Sequence, residues 1–262
     1  MNTKRKLIFT ILLIILILPL GFSQESGNKL IIRVNQLGYY PKAVKKALII
    51  ESNASEFELK SSNGKVVFKS KLSNSKYWDK SGENIKVADF SKLQKPGSYT
   101  LHVKDVVEPA KIEIKTNVYK DAFKGVLKNF YFQRSGLEIE EKYAGKWARK
   151  MGHPDNACNI HESAGRGTGI IESKGGWYDA GDCNKYVVNA GVSVGTMLNF
   201  YEMYPSFVQD NFTNIPESGN NVSDLLDEIK YELDWVLSMQ TPDGASNMKT
   251  TSSFFTGIIM PV

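Results

Sequence analysis

Polar and apolar residues alternate through the first part of the chain, and the period changes near Asn117. Leu30 to Val34 opens a strand, and Ala47 to Ile50 is a short apolar run. Phe57 and Leu59 alternate with polar neighbours up to Ser62-Asn63-Gly64, after which Val66-Val67-Phe68 resumes. A strand, an Asn-Gly turn and a second strand predict a hairpin. Lys95-Pro96-Gly97 marks another turn, followed by alternation at Tyr99, Leu101 and Val103 and again at Ile112 and Ile114. Several short strands at this spacing predict a small antiparallel sandwich of immunoglobulin type.

From Val118 onward the period is helical. Val118, Ala122, Phe123, Val126, Leu127 and Phe130 share one helical face. Ser135 to Lys174 is a long irregular stretch rich in Gly, His, Asn and Ser, with room for at most a short strand pair. Val188 to Tyr204 reads as a helix stopped by Pro205. Ser223-Asp224 suits a helix start, and Leu225, Leu226, Ile229, Leu233, Val236 and Leu237 give an apolar stripe ending near Met239. An all-β module therefore precedes an all-α one, with no βαβ alternation and no parallel sheet expected. Three amphipathic helices with long connections bury little surface by themselves, so this α part reads as the beginning of a larger helical domain.

The amino terminus changes the reading of the charge. Lys4, Arg5 and Lys6 precede an apolar run from Leu7 to Leu20, and Gly21-Phe22-Ser23 places small residues at a cleavage site. This is the pattern of a secretory signal peptide over residues 1–23, too short to favour a membrane span. It predicts a secreted or periplasmic protein with no membrane attachment once the signal is removed. The formal charge of +5 falls to +2 without those residues, which leaves no electrostatic case for a nucleic-acid partner. The two cysteines, Cys158 and Cys183, could pair in an oxidising compartment or remain buried thiols.

The chemistry concentrates in "GGWYDAGDCNKYV", Gly175 to Val187. Asp179 and Asp182 flank Ala180-Gly181, whose small side chains let the backbone turn so that both carboxylates can face one point. Two carboxylates holding one water form a general base. Trp177 and Tyr178 could offer flat faces to a sugar ring. Taken alone, the spacing also suits a turn or cap, or a calcium site.

The same stretch closely resembles the signature of glycoside hydrolase family 9, the cellulase family with an (α/α)₆ barrel. "RVNQLGYYP" (Arg33 to Pro41) resembles the opening of the immunoglobulin-like module that precedes many of these catalytic domains. "FYFQRSG", "YAGKWA", "NIPESG" and "LLDEIKYELDWVLSMQ" resemble family segments in the right order. The resemblance implies two domains after the signal peptide: a β-sandwich over 24–117, then over 118–262 the first, incomplete part of the barrel. It also implies hydrolysis of β-1,4-linked glucan with inversion, Asp182 as the base, Asp179 as its partner in holding the water, and Trp177 and Tyr178 against the sugar. The family's general acid is a glutamate near the far end of the barrel, and no residue here matches it. Glu217, Glu228, Glu162 and Glu172 have no good claim to that role, so the fragment alone is expected to be inactive. Many relatives hold zinc through a Cys after Gln-Arg and a Cys-His pair. Here Ser135 and Cys158-Asn159 stand in those places. His153 and His161 flank Cys158 and could rebuild a site, but the preferred reading has them line the loop or bond locally, so no metal ligand and no cofactor are expected, with calcium left open. A disulfide between Cys158 and Cys183 would tie the long loop to the aspartate turn, for about 3 kcal/mol. The rival readings are a non-catalytic carbohydrate-binding or scaffold fragment, and a pseudogene fragment that never folds.

Overall fold

The computed structural model describes residues 31–165 and 167–251. The signal-peptide pattern therefore lies outside the described residues. The chain divides into two compact units between Val118 and Tyr119.

In the first unit the alternating segments become eight strands: β1 (Ile31–Arg33), β2 (Lys46–Ile50), β3 (Glu56–Ser61), β4 (Val66–Lys71), β5 (Lys76–Trp78), β6 (Glu83–Asp89), β7 (Gly97–Val103) and β8 (Ala110–Ile114). They form two four-stranded sheets, ordered β1-β2-β6-β5 and β4-β3-β7-β8, with every named pair antiparallel. The alternation explains the layering. Ala47, Ile49, Phe57, Leu59, Leu101 and Ile112 lie in one buried cluster, while their strand neighbours point away from it. The Asn63-Gly64 turn is closed by the Gly64 amide on the Ser61 carbonyl at 2.8 Å, with Gly64 at φ 80°. That left-handed φ costs glycine little. The register of β3 and β4 shifts between Leu59 and Lys60.

Strands β5 and β6 are not evident in the hydrophobic pattern. β6 is half-buried along most of its length and β5 is an exposed edge, so neither carries a clean period of two.

The second unit contains α1 (Lys120–Gln133), a short helix α2 (Glu141–Ala144) running into a 3-10 turn at Gly145–Trp147, then α3 (Val187–Met203) and α4 (Asp224–Ser238). A two-residue antiparallel pair, β9 (Cys158–Asn159) with β10 (Ile170–Ile171), sits in the long loop. A second pair, β11 (Lys185–Tyr186) with β12 (Lys249–Thr250), has no counterpart in the sequence pattern. Among the described residues no helix is long and apolar enough to cross a membrane.

Helix α4 starts as its sequence indicates, with the Ser223 hydroxyl capping the Leu225 amide and Asp224 and Asp227 in the first turn. Its buried face corrects the apolar stripe read from the sequence. Leu225, Ile229 and Trp235 are buried, but so are Asp224, Glu228 and Glu232, whereas Leu233 and Leu237 are 37% and 66% exposed. The three acids repeat every fourth residue and so form one row along the helix. Each is buried because each is hydrogen-bonded. Asp224 accepts from the amides of Asn211 (3.0 Å) and Thr213 (2.6 Å) and from the Thr213 and Ser218 hydroxyls. Glu228 binds Arg134 and the Trp177 indole, and Glu232 binds the Trp177 amide. The row of acids on α4 thus anchors the loops that carry the site.

Candidate active site

The Gly175-Gly176 pair turns the chain into the aspartate segment. Both glycines have positive φ, 83° and 76°. A Cβ on Gly176 would sit 2.6 Å from atoms of the Trp235 ring, so only glycine fits between that ring and the turn. The residues that follow are fixed from below. The Trp177 amide donates to Glu232 at 2.6 Å, its indole N–H to Glu228 at 2.8 Å, and the Tyr178 amide to the Gln133 carbonyl at 2.9 Å. Trp177 is 6% exposed and Tyr178 4%, with the Trp177 ring 4.7 Å from that of Phe130. Their rings are mainly part of the packing under the turn, and they show an edge to the cavity above it.

The turn itself is closed by the Asp179 amide on the Asn184 carbonyl at 2.8 Å and by the Cys183 amide on the Ala180 carbonyl at 3.1 Å. The residue that takes the left-handed conformation is Cys183, at φ 59°, rather than the glycine of the Ala-Gly pair. Asp179 is exposed and accepts from the Asn189 side-chain amide, in the first turn of α3, at 2.6 Å. Asp182 is half-buried and accepts from the Asn184 amide at 3.3 Å and its side-chain nitrogen at 2.7 Å. Neutral amides hold both carboxylates, and among the described residues no cation forms an ion pair with either.

Asp179, Ala180, Gly181 and Cys183 line a cavity of about 870 Å³ between α1 and α3. Asp182 is not among the lining residues, because its carboxylate folds back onto Asn184 two residues later. The sequence reading let both carboxylates face one point; the structure puts Asp179 on the cavity and turns Asp182 back onto Asn184.

Glu217 and Glu228 are occupied elsewhere. Arg134, buried, donates to Glu228 through Nε and Nη2, both at 3.0 Å, and to Glu217 through Nη1 at 2.8 Å. Burial works against the guanidinium charge, but the two carboxylates more than offset it, so its pKa is raised. The Arg134 guanidinium also lies 4.3 Å from the ring centre of Tyr231.

Lys185 performs a similar task for the long loop. Its ammonium is buried and bonds Asp155 at 2.8 Å, the Gly175 carbonyl at 2.8 Å and the Ser173 carbonyl. Cys158 and Cys183 are thiols rather than a disulfide, and burial raises the pKa of both. The loop is thus tied to the turn by Lys185. The positions where zinc ligands would be sought hold Ser135, whose buried hydroxyl donates to the His153 carbonyl at 3.2 Å, and Asn159. Among the described residues no three His, Cys, Asp or Glu side chains come together as a metal site. These donors do not fit zinc, which takes thiolate and imidazole.

Sequence reading missed Glu232, which lines the cavity floor beneath the turn. The repeat of acids at every fourth position of α4 is visible in the sequence, but it does not by itself tell a buried row from a solvated one. Burial pushes the Glu232 carboxyl up to about 8, against the Trp177 amide and the Lys185 charge, which pull it down. In the unfolded chain it ionises near the ordinary 4.5. Between those values the folded state keeps a proton that the unfolded state has lost, so stability falls as pH rises across that interval. Glu232→Gln keeps an acceptor for the Trp177 amide and removes the titration. Thermal melts from about pH 5 to pH 8 are expected to fall less steeply for Glu232→Gln than for the parent. Equal slopes would show that Glu232 ionises normally.

Comparison with known proteins agrees with this division of the chain. Residues 29–108 match the cellulase N-terminal ig-like domain, and residues 119–253 match glycosyl hydrolase family 9. The chain is 42% identical over 241 residues to the xyloglucan-specific endo-beta-1,4-glucanase of Bacteroides ovatus, covering 88% of this chain and 40% of that protein. It is 36% identical over 237 residues to endoglucanase D of Acetivibrio thermocellus, covering 88% of this chain and 37% of the relative. A solved Bacteroides ovatus GH9 structure superposes with a TM-score of 0.81 at 42% identity, over 88% of this chain and 43% of that one. The chain therefore spans about two fifths of the length of these relatives. With an immunoglobulin-like module before a helical unit that carries the Asp179–Asp182 turn, the chain belongs to glycosyl hydrolase family 9.

Proposed function

We propose that this chain supplies the water-activating half of a glycosidase that cleaves β-1,4-linked glucan with inversion. The observation that carries the reading is the Asp179–Asp182 turn, with Asp179 on the cavity and Asp182 held beside it by the amides of Asn184, in a chain of this family. Asp182 acts as base and Asp179 helps hold the water. The water oxygen attacks the anomeric carbon as Asp182 takes its proton, and the glycosidic bond breaks on the opposite face of the ring. The leaving oxygen needs a proton there, from a carboxyl about 6.5–9.5 Å from the base in inverting enzymes. Asp179 lies three positions away on the same turn, so it is poorly placed to serve as that acid. Glu217 and Glu228 are committed to Arg134, and Glu232 lies under the turn. By the family resemblance the acid is a glutamate from a further part of an (α/α)₆ barrel that α1, α3 and α4 begin. Trp177 and Tyr178 show the sugar only an edge at the cavity floor, while their rings pack beneath the turn. Residues 1–23 direct the chain for export.

Residues 24–262 alone are expected to release reducing ends from a soluble β-1,4-glucan at background rate. A missing general acid costs about 10²–10⁴ in rate. The exposed Val126 and Leu237, 60% and 66% accessible, favour self-association of this segment, which light scattering would detect. Turnover that is robust and disappears in Asp182→Asn would place an acid within these residues and overturn the assignment of the missing half.

A further inference from the structure

One wall of the cavity comes from outside the aspartate turn. It is the segment from Lys146 to Arg149, which follows α2. Trp147 ends the 3-10 turn there and is 66% exposed although it lines the cavity. The other described aromatic side chains of the lining are buried or half-buried. Single exposed apolar residues are ordinary on protein surfaces. What distinguishes this one is its company.

Asn129 and Gln133 line the same cavity from α1, four residues apart, and Asn189 and Ser193 line it from α3, also four apart. Each pair therefore presents from one side of its helix. Neutral amides and a hydroxyl around a flat indole match a pyranose ring, with its apolar C–H face and its rim of hydroxyl groups. They do not match a phosphate or carboxylate ligand, which would call for converging cations. Arg149 is turned to the carbonyls of Phe132 and Arg134, and the Lys146 ammonium sits 5.0 Å from the Trp147 ring centre.

We propose that Trp147 is a stacking platform for one glucose-type ring of a β-linked chain, in the same cavity as Asp179. The inference rests on the proposed function and adds the residue that grips the chain away from the hydrolytic turn. The indole supplies area and geometry at little entropic cost, as aromatic anchors do. Because Trp147 is exposed, its truncation leaves the fold intact, and unchanged far-UV and melting behaviour of the variant is the control.

The test is calorimetric titration of the purified chain with a β-1,4-linked gluco-tetrasaccharide. Trp147→Ala is expected to weaken binding about tenfold, with Trp147→Phe intermediate. A blue shift of tryptophan emission on binding should vanish in Trp147→Phe. Equal binding by parent and Trp147→Ala would overturn this inference and leave the proposed function standing. No binding by the parent would overturn this inference, and the proposed function is then tested separately by turnover of the chain extended with the remainder of the Bacteroides ovatus relative. Equal binding of an α-1,4-linked tetrasaccharide would overturn the ligand class.

Discussion

Asp182→Asn is expected to lower kcat by about 10²–10⁴ and to leave KM nearly unchanged, in a chain extended with the C-terminal remainder of the Bacteroides ovatus relative. The reason is local. Asp182 accepts hydrogen bonds from the backbone and the side chain of Asn184, and forms no ion pair among the described residues. An asparagine there still accepts from the Asn184 backbone amide and gives up the bond from the Asn184 side chain, so an unchanged melting profile of the variant is the control for the shape of the turn. What is lost is a group able to take a proton from water, and that loss is felt in the transition state rather than in sugar binding. Reducing-end assays over a range of glucan concentrations separate the two parameters. A rise in KM at constant kcat would make Asp182 a sugar-binding residue instead.

Arg134→Ala lowers folding stability by about 3–5 kcal/mol, the range for breaking a buried ion pair by removing one partner. The guanidinium is 1% exposed and carries four hydrogen bonds to Glu217 and Glu228. Glu228 also receives the Trp177 indole N–H, so the change reaches the aspartate turn through a single side chain. Truncation leaves Glu228 buried and without its cation. Arg134→Ala with Glu228→Gln should regain part of the loss, because the uncompensated charge is gone. Chemical denaturation of both variants reads this directly. A single-variant loss below about 1 kcal/mol would mean that the network is solvated like a surface pair.

The sandwich was legible in the sequence where one face of a strand is buried and the other wet. Phe57 and Leu59, or Tyr99, Leu101 and Val103, announce themselves by alternation. Strands β5 and β6 do not, since pairing partners rather than side-chain burial define them. Helices α1, α3 and α4 were legible in position, whereas the four-residue α2 lies in the stretch read as irregular, and the inward face of α4 was not legible. Hydrophobic periodicity assigns Leu233 and Leu237 to the core and Glu228 and Glu232 to water, and the structure reverses this. The acids are buried because their partners, Arg134 and Trp177, arrive from 94 and 55 residues away, information that no local pattern contains. The same limit applies to the site. The aspartate pair was visible in sequence, and so was the aromatic character of its neighbours. Which aromatic faces a ligand depends on packing: Trp177 and Tyr178 turn inward onto Phe130 and the loop, and Trp147 remains outside.

The step proposed for this chain is direct attack on a β-glucan by a carboxylate-activated water, in one displacement. The extended chain, mixed with a soluble β-1,4-gluco-oligosaccharide in an NMR tube, tests this by the anomer of the first product. Single displacement predicts that the α-anomeric proton signal of the new reducing end grows first and the β signal follows by mutarotation. A β signal that appears first would mean retention through a covalent intermediate, and the assignment of Asp182 as base and Asp179 as its partner would be wrong.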